Sequence, residues 1–106
     1  MQKGENMITK LNGTTFDNYI AKGLKIVEFY AIWCGYCSKQ FSVLSEMKEV
    51  EFGMLNAEEA PEITMKYGIN GYPTFVIFQD GKESGRFSGF HTKYQIMEYL
   101  TKYFSK

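Results

Sequence analysis

Lys25–Cys37 reads K-I-V-E-F-Y-A-I-W-C-G-Y-C, and the fold turns on how that run divides. Its first part, Lys25 to Ile32, is β-branched, aromatic and nearly all apolar, as a strand buried on both faces reads. Glu28 stands in the middle of it. After Trp33 the period changes: Cys37, Phe41, Leu44 and Met47, with the stem of Lys48, follow helical spacing, while Lys39, Gln40, Ser45 and Glu46 fall outward. A buried strand therefore passes into a helix from Cys34 to about Lys48. Cys34 sits at the helix N-terminus and Cys37 already faces the core.

Upstream, Met7–Leu11 predicts a short edge strand with one wet face. Asn12-Gly13 predicts a turn, and Thr14 or Thr15 the cap of a helix carrying Phe16, Tyr19 and Ile20 that Gly23 ends. Downstream, Val50–Asn56 predicts a strand weakened by Gly53. Glu58–Tyr67 predicts a helix with Pro61 in its first turn, Ile63 and Tyr67 on one face, and Gly68 as its stop. Gly71-Tyr72-Pro73 is a turn, Thr74–Phe78 a strand, Asp80-Gly81 a hairpin turn and Glu83–Ser88 a polar edge strand. Thr92–Phe104 closes with a helix whose inner face is Ile96, Tyr99, Leu100 and Tyr103. The order β-α-β-α-β-α-β-β-α implies an α/β fold, with a mixed sheet flanked by helices on both faces. Residues 1–106 read as one domain, with residues 1–6 as a flexible extension.

Composition narrows the function. The chain is 44% hydrophobic and 17% aromatic, so a core needs no staple or metal. Twelve Lys and Arg balance twelve Asp and Glu, which removes the charge-based case for nucleic acid or an anionic membrane as partner. No apolar run reaches the length of a membrane span, and Met1–Asn6 lacks a signal-peptide core. The chain reads as cytoplasmic, although an exported protein without its leader would read alike.

Only two cysteines occur, three residues apart. As a structural disulfide they would restrict the unfolded chain by only about 2 kcal/mol. A structural zinc site needs four ligands, and one distant His91 does not supply the remainder. His91 itself reads as a solvated residue before the last helix. A reaction centre is the better reading. At a helix N-terminus the free N–H groups and the dipole favour an anion, so a Cys34 thiolate is stabilised. Cys37 lies on the same side of the helix, more buried, and can attack a mixed disulfide formed at Cys34. Exchange needs this pair of an exposed attacker and a sheltered resolver. Gly35 gives the turn a flexible step, and Tyr36 leaves a ring between the sulfurs and solvent.

Four segments carry a resemblance to the thioredoxin family: V-E-F-Y-A-I-W-C-G-Y-C (27–37), K-Y-G-I-N-G-Y-P-T-F (66–75), F-Q-D-G-K (78–82) and Gly89 before the last helix. The resemblance covers the chain from Met7 onward. It implies a thioredoxin fold and thiol–disulfide oxidoreductase activity, with Cys34 attacking and Cys37 resolving. It implies a cis-proline at Pro73, an extended substrate pairing with the Tyr72 backbone, and room left by Gly89. Trp33 is expected to shield the thiolate, and Glu28 to be the buried acid that takes the Cys37 proton. The usual lysine partner of that acid is replaced by Met54. No cofactor is implied beyond the Cys34–Cys37 disulfide, and no metal. The implied partners are protein disulfides and a flavin-dependent thioredoxin reductase, and the chain is expected to be a monomer. Some details resemble other branches: C-G-Y-C is similar to periplasmic disulfide isomerases, and V-E-F-Y-A and G-Y-P-T to protein disulfide isomerase domains. A more oxidising isomerase or oxidase, with a potential above the roughly −270 mV of thioredoxin, is therefore one alternative. A peptide-binding module of the same fold is another.

Overall fold

The strand that carries Glu28 lies in the middle of the sheet, which is why its sequence is apolar on both faces. In the computed structural model, which describes residues 7–104, the elements are β1 (Ile8–Leu11), α1 (Phe16–Ile20), β2 (Leu24–Tyr30), α2 (Gly35–Ser45), β3 (Phe52–Asn56), a 3-10 turn (Ala57–Glu59), α3 (Pro61–Lys66), β4 (Thr74–Gln79), β5 (Lys82–Ser88) and α4 (Lys93–Phe104). The expected extension, residues 1–6, lies outside the described residues.

The strand order is β1-β3-β2-β4-β5. β1, β3 and β2 run parallel, and β4 and β5 add antiparallel pairs. This is the mixed α/β sheet of a thioredoxin fold. On one face Val27, Phe29, Leu55, Val76 and Phe78 meet Phe16 and Ile20 of α1, with Ile63 and Tyr67 against them. On the other face Ile26, Phe52, Phe75, Ile77 and Phe87 meet Leu44 of α2 and Ile96 and Leu100 of α4. Among the described residues no helix is long and apolar enough to cross a membrane.

Several local expectations change. Neither Thr14 nor Thr15 donates a side-chain cap to α1. Instead Asn12 Oδ1 accepts from the N–H groups of Thr14 at 2.8 Å and Thr15 at 3.0 Å, which fixes the turn leading into α1. Strand β2 stops at Tyr30, short of Ile32, and α2 stops at Ser45, short of Lys48. The inner face of α2 is Cys37, Gln40 and Leu44, while Phe41 is 45% exposed and Lys48 is exposed. Polarity had placed Gln40 outward, but its position three residues after Cys37 carries it inward. Tyr99 of α4 is also partly exposed, with its ring 4.4 Å from that of Phe87. Pro61 occupies the first turn of α3, as expected, whereas Glu58 belongs to the preceding 3-10 turn.

Gly53 has a packing reason to stand in β3. A Cβ there would come within 2.7 Å of the Tyr19 ring and 2.8 Å of Leu11 Cδ1. The hydroxyl of Tyr19 donates to Glu51 Oε2 at 3.3 Å, which ties the ring in place. Gly53→Val is therefore expected to destabilise the protein by about 1–3 kcal/mol through overpacking, although valine is the better strand former. Urea unfolding measures it, and an unchanged or raised midpoint would show that Tyr19 swings away freely.

Candidate functional site

The chain leaves β2 at Tyr30 and turns once before α2. The N–H of Cys34 donates to Ala31 O at 3.2 Å, and Cys34 O accepts from the N–H groups of Cys37 at 3.1 Å and Ser38 at 3.4 Å. Cys34 is thus the N-cap residue, in extended conformation, and its side chain makes no hydrogen bond to the first-turn N–H groups. Both thiols are free. Cys34 is 8% exposed and Cys37 5%, so the contrast of an open attacker over a sheltered resolver is smaller than the sequence suggested. The loop before β4 closes over Cys34, whose thiol donates to the Tyr72 carbonyl at 3.6 Å. Burial pushes the Cys37 thiol well above its ordinary range, and its hydrogen bond with Cys34 adds to the rise.

The Tyr72–Pro73 peptide is cis. Trp33 is 68% exposed and Tyr36 63%, so these rings and the exposed Gly35 form the outer rim. The Trp33 ring stands edge-on to Tyr72 with centroids 5.8 Å apart, and its Nε1–H donates to Glu58 Oε2 at 2.6 Å. Glu58 lies 25 residues away in sequence, and no spacing rule points to it. Gly89 has φ +90, with open space where a Cβ would be, and its N–H donates to Pro73 O at 2.8 Å. His91 is not a solvated residue. Its ring packs 4.7 Å from that of Phe87, and Nδ1 lies 2.7 Å from Gly89 O. The buried amide of Gln40 donates to His91 O and accepts from His91 N–H, both at 2.9 Å.

Glu28 is completely buried, and neither carboxyl oxygen has a hydrogen-bond partner. It belongs to a cross-strand row running Lys10, Met54, Glu28, Phe75 and Phe87. Met54 therefore stands beside the acid where the resemblance expects lysine, and Lys10 lies one strand farther out. Burial pushes the Glu28 carboxyl from its ordinary 4.5 to about 8. Burial raises Tyr30 as well, with the charges of Glu59 and Glu28 adding to it, and Glu28 adds a lesser rise to that of Cys37. A groove of about 470 Å³, lined by Cys37, Met54, Tyr30, Lys10, Phe41 and others, opens beside these residues. A buried carboxyl that titrates near neutrality, close to a thiol held protonated, can exchange a proton with it. Among the described residues no three His, Cys, Asp or Glu side chains gather where a metal ion could bind.

A family model described as Thioredoxin matches residues 7–102. A thioredoxin of Chlamydia caviae is 31% identical over 101 residues, covering 92% of this chain and 99% of that one. A thioredoxin of Staphylococcus epidermidis is 33% identical over 101 residues, covering 91% and 97%. One of Chlamydia pneumoniae is 33% identical over 104 residues, covering 94% and 98%.

The buried carboxyl makes stability depend on pH with a definite sign. Between pH 4.5, the ordinary value, and about 8, the folded value, the folded state keeps a proton that the unfolded chain has released. Stability from Glu28 is therefore complete below that window and is lost as the pH rises through it. From pH 5 to pH 9 the wild type is expected to lose roughly 3–5 kcal/mol more than Glu28→Gln. Urea unfolding of both proteins at the two pH values checks this. Parallel losses would mean that the carboxyl finds water or a cation.

Proposed function

This chain belongs to the thioredoxin family and is a thiol–disulfide oxidoreductase, and on that footing we propose how its residues divide the reaction. The Cys34 thiolate attacks one sulfur of a protein disulfide. The S–S bond breaks, and the departing sulfur leaves as a thiolate that takes a proton from water. The Cys37 thiol then gives its proton to the ionised Glu28 carboxylate and attacks the Cys34 sulfur. The mixed S–S bond breaks, the substrate's second sulfur leaves as a thiolate that takes a proton from water, and Cys34–Cys37 becomes the disulfide. The substrate is reduced by two electrons and the chain oxidised by two. The observation that carries this reading is Cys34 on the N-cap of α2, its thiol against the Tyr72 carbonyl, with the free Cys37 thiol packed in the same buried cluster.

Around this core the other residues take smaller parts. An extended substrate strand pairs with the Tyr72 backbone, as in β-augmentation. Pro73 shapes that edge, Gly89 leaves it open, and Trp33, Gly35 and Tyr36 form the rim the substrate first meets. A flavin-dependent reductase returns the chain to the dithiol state. The chain works as a monomer in the cytoplasm, and needs no cofactor other than its own disulfide.

Cys34→Ser is expected to abolish insulin reduction, and Cys37→Ser to accumulate a mixed disulfide visible on a non-reducing gel. Insulin reduction by Cys34→Ser at the wild-type rate would remove the reading. With the folded carboxyl at about 8, roughly a tenth of molecules carry the Glu28 carboxylate at pH 7. The rate constant for resolution should rise with pH towards 8. Glu28→Gln should lower it about a hundredfold and flatten the rise. Met54→Lys should shift the rise to lower pH, because a neighbouring cation favours the carboxylate.

A further inference from the structure

We propose that Gln40 is a positioning residue: its side-chain amide bolts the cysteine-bearing helix to the loop that presents Gly89, and so keeps the substrate-binding backbone in register with the sulfurs. The inference rests on the division of roles proposed above, because it concerns the same substrate edge.

Gln40 lies three residues after Cys37 on the buried face of α2, with no exposure to solvent. A glutamine enclosed among apolar side chains is costly unless its amide is satisfied. Here both ends are used, and on a single target. Nε2 donates to His91 O and Oε1 accepts from His91 N–H, each at 2.9 Å. The side chain pairs with the His91 backbone as a neighbouring strand would. His91 in turn contacts Gly89 O through Nδ1 at 2.7 Å, and Gly89 N–H donates to Pro73 O at 2.8 Å. The next residue back, Tyr72, accepts from the Cys34 thiol.

The contacts form a closed circuit: Cys34, along α2 to Gln40, across to His91 and Gly89, over to Pro73 and Tyr72, and back to Cys34. The loop between β5 and α4 has no regular backbone pairing of its own at His91. An apolar side chain at position 40 leaves both backbone groups of His91 without a protein partner. The loop must then turn towards water to satisfy them. Because Gly89 is bonded to Pro73, that shift moves the edge on which the substrate strand lies. A small disulfide does not span this edge, whereas a protein disulfide does.

The test compares wild type with Gln40→Leu on insulin and on bis(2-hydroxyethyl) disulfide, and measures the Cys34–Cys37 equilibrium with glutathione. The expected result is a fall of roughly ten- to a hundredfold in kcat/KM for insulin relative to the small disulfide. The fall should be carried by KM, with the glutathione equilibrium at its wild-type value. The His91 amide should also lose protection from hydrogen exchange. If the insulin-to-small-disulfide ratio stays at the wild-type value, whether both rates drop together or neither does, the proposal is overturned. Should Gln40→Leu fold too poorly to assay, Gln40→Met is read in the same way. Inactivity of the wild type on both disulfides would instead overturn the redox reading itself.

Discussion

Strand β2 is enclosed on every side. β3 and β4 close its edges, and two apolar clusters close its faces. Only its ends are free, so chemistry attached to this strand must occur where the chain leaves it. The turn after Tyr30 brings Cys34 to the N-cap of α2, and the same helix returns Cys37 and Leu44 to the core. The reactive sulfur is thus carried at the junction of the enclosed strand and the helix packed on it. The enclosure has one exception, Glu28. A carboxyl with no hydrogen-bond partner in the middle of such a strand is destabilising when ionised.

Met54 sharpens that point. A cation beside Glu28 would satisfy the carboxylate and bring its titration down. A thioether cannot, and Lys10 stands one strand farther out along the same row. Burial therefore governs the carboxyl and raises it to about 8. The acid stays protonated over most of the neutral range. The ionised form of this group is also the form that weakens the fold.

The rim is built differently from the core. Trp33, Tyr36 and Gly35 are exposed, and the contacts that order the rim reach across long sequence separations: Glu58 to Trp33, Tyr72 to Cys34, Gly89 to Pro73 and Gln40 to His91. Each is a polar contact between loops or helix faces whose side chains gain nothing from periodicity. Residues of that kind are invisible to pattern reading. Gln40 is the instructive case, because its spacing from Cys37 pointed inward and its polarity pointed outward. A satisfied amide let spacing win. His91 shows the converse: a lone histidine before a helix looks solvated until Phe87 is found beneath its ring. Thr92 and Gln95 exchange side-chain and backbone bonds at the start of α4, as a threonine followed three residues later by glutamine predicts.

By itself the sequence determined the order of strands and helices, the mixed sheet and the place of Cys34 between a buried strand and a helix. Those depend on apolar periodicity and turn residues, which are local. It also marked Glu28 as the anomaly in β2, and Pro73 and Gly89 as punctuation around the site. Only the tertiary structure decided how far Cys34 is covered, that Glu58 reaches Trp33, and that Gln40 joins α2 to the Gly89 loop. These are contacts between segments far apart in the chain, and their energies depend on burial and hydrogen-bond geometry that no single segment encodes.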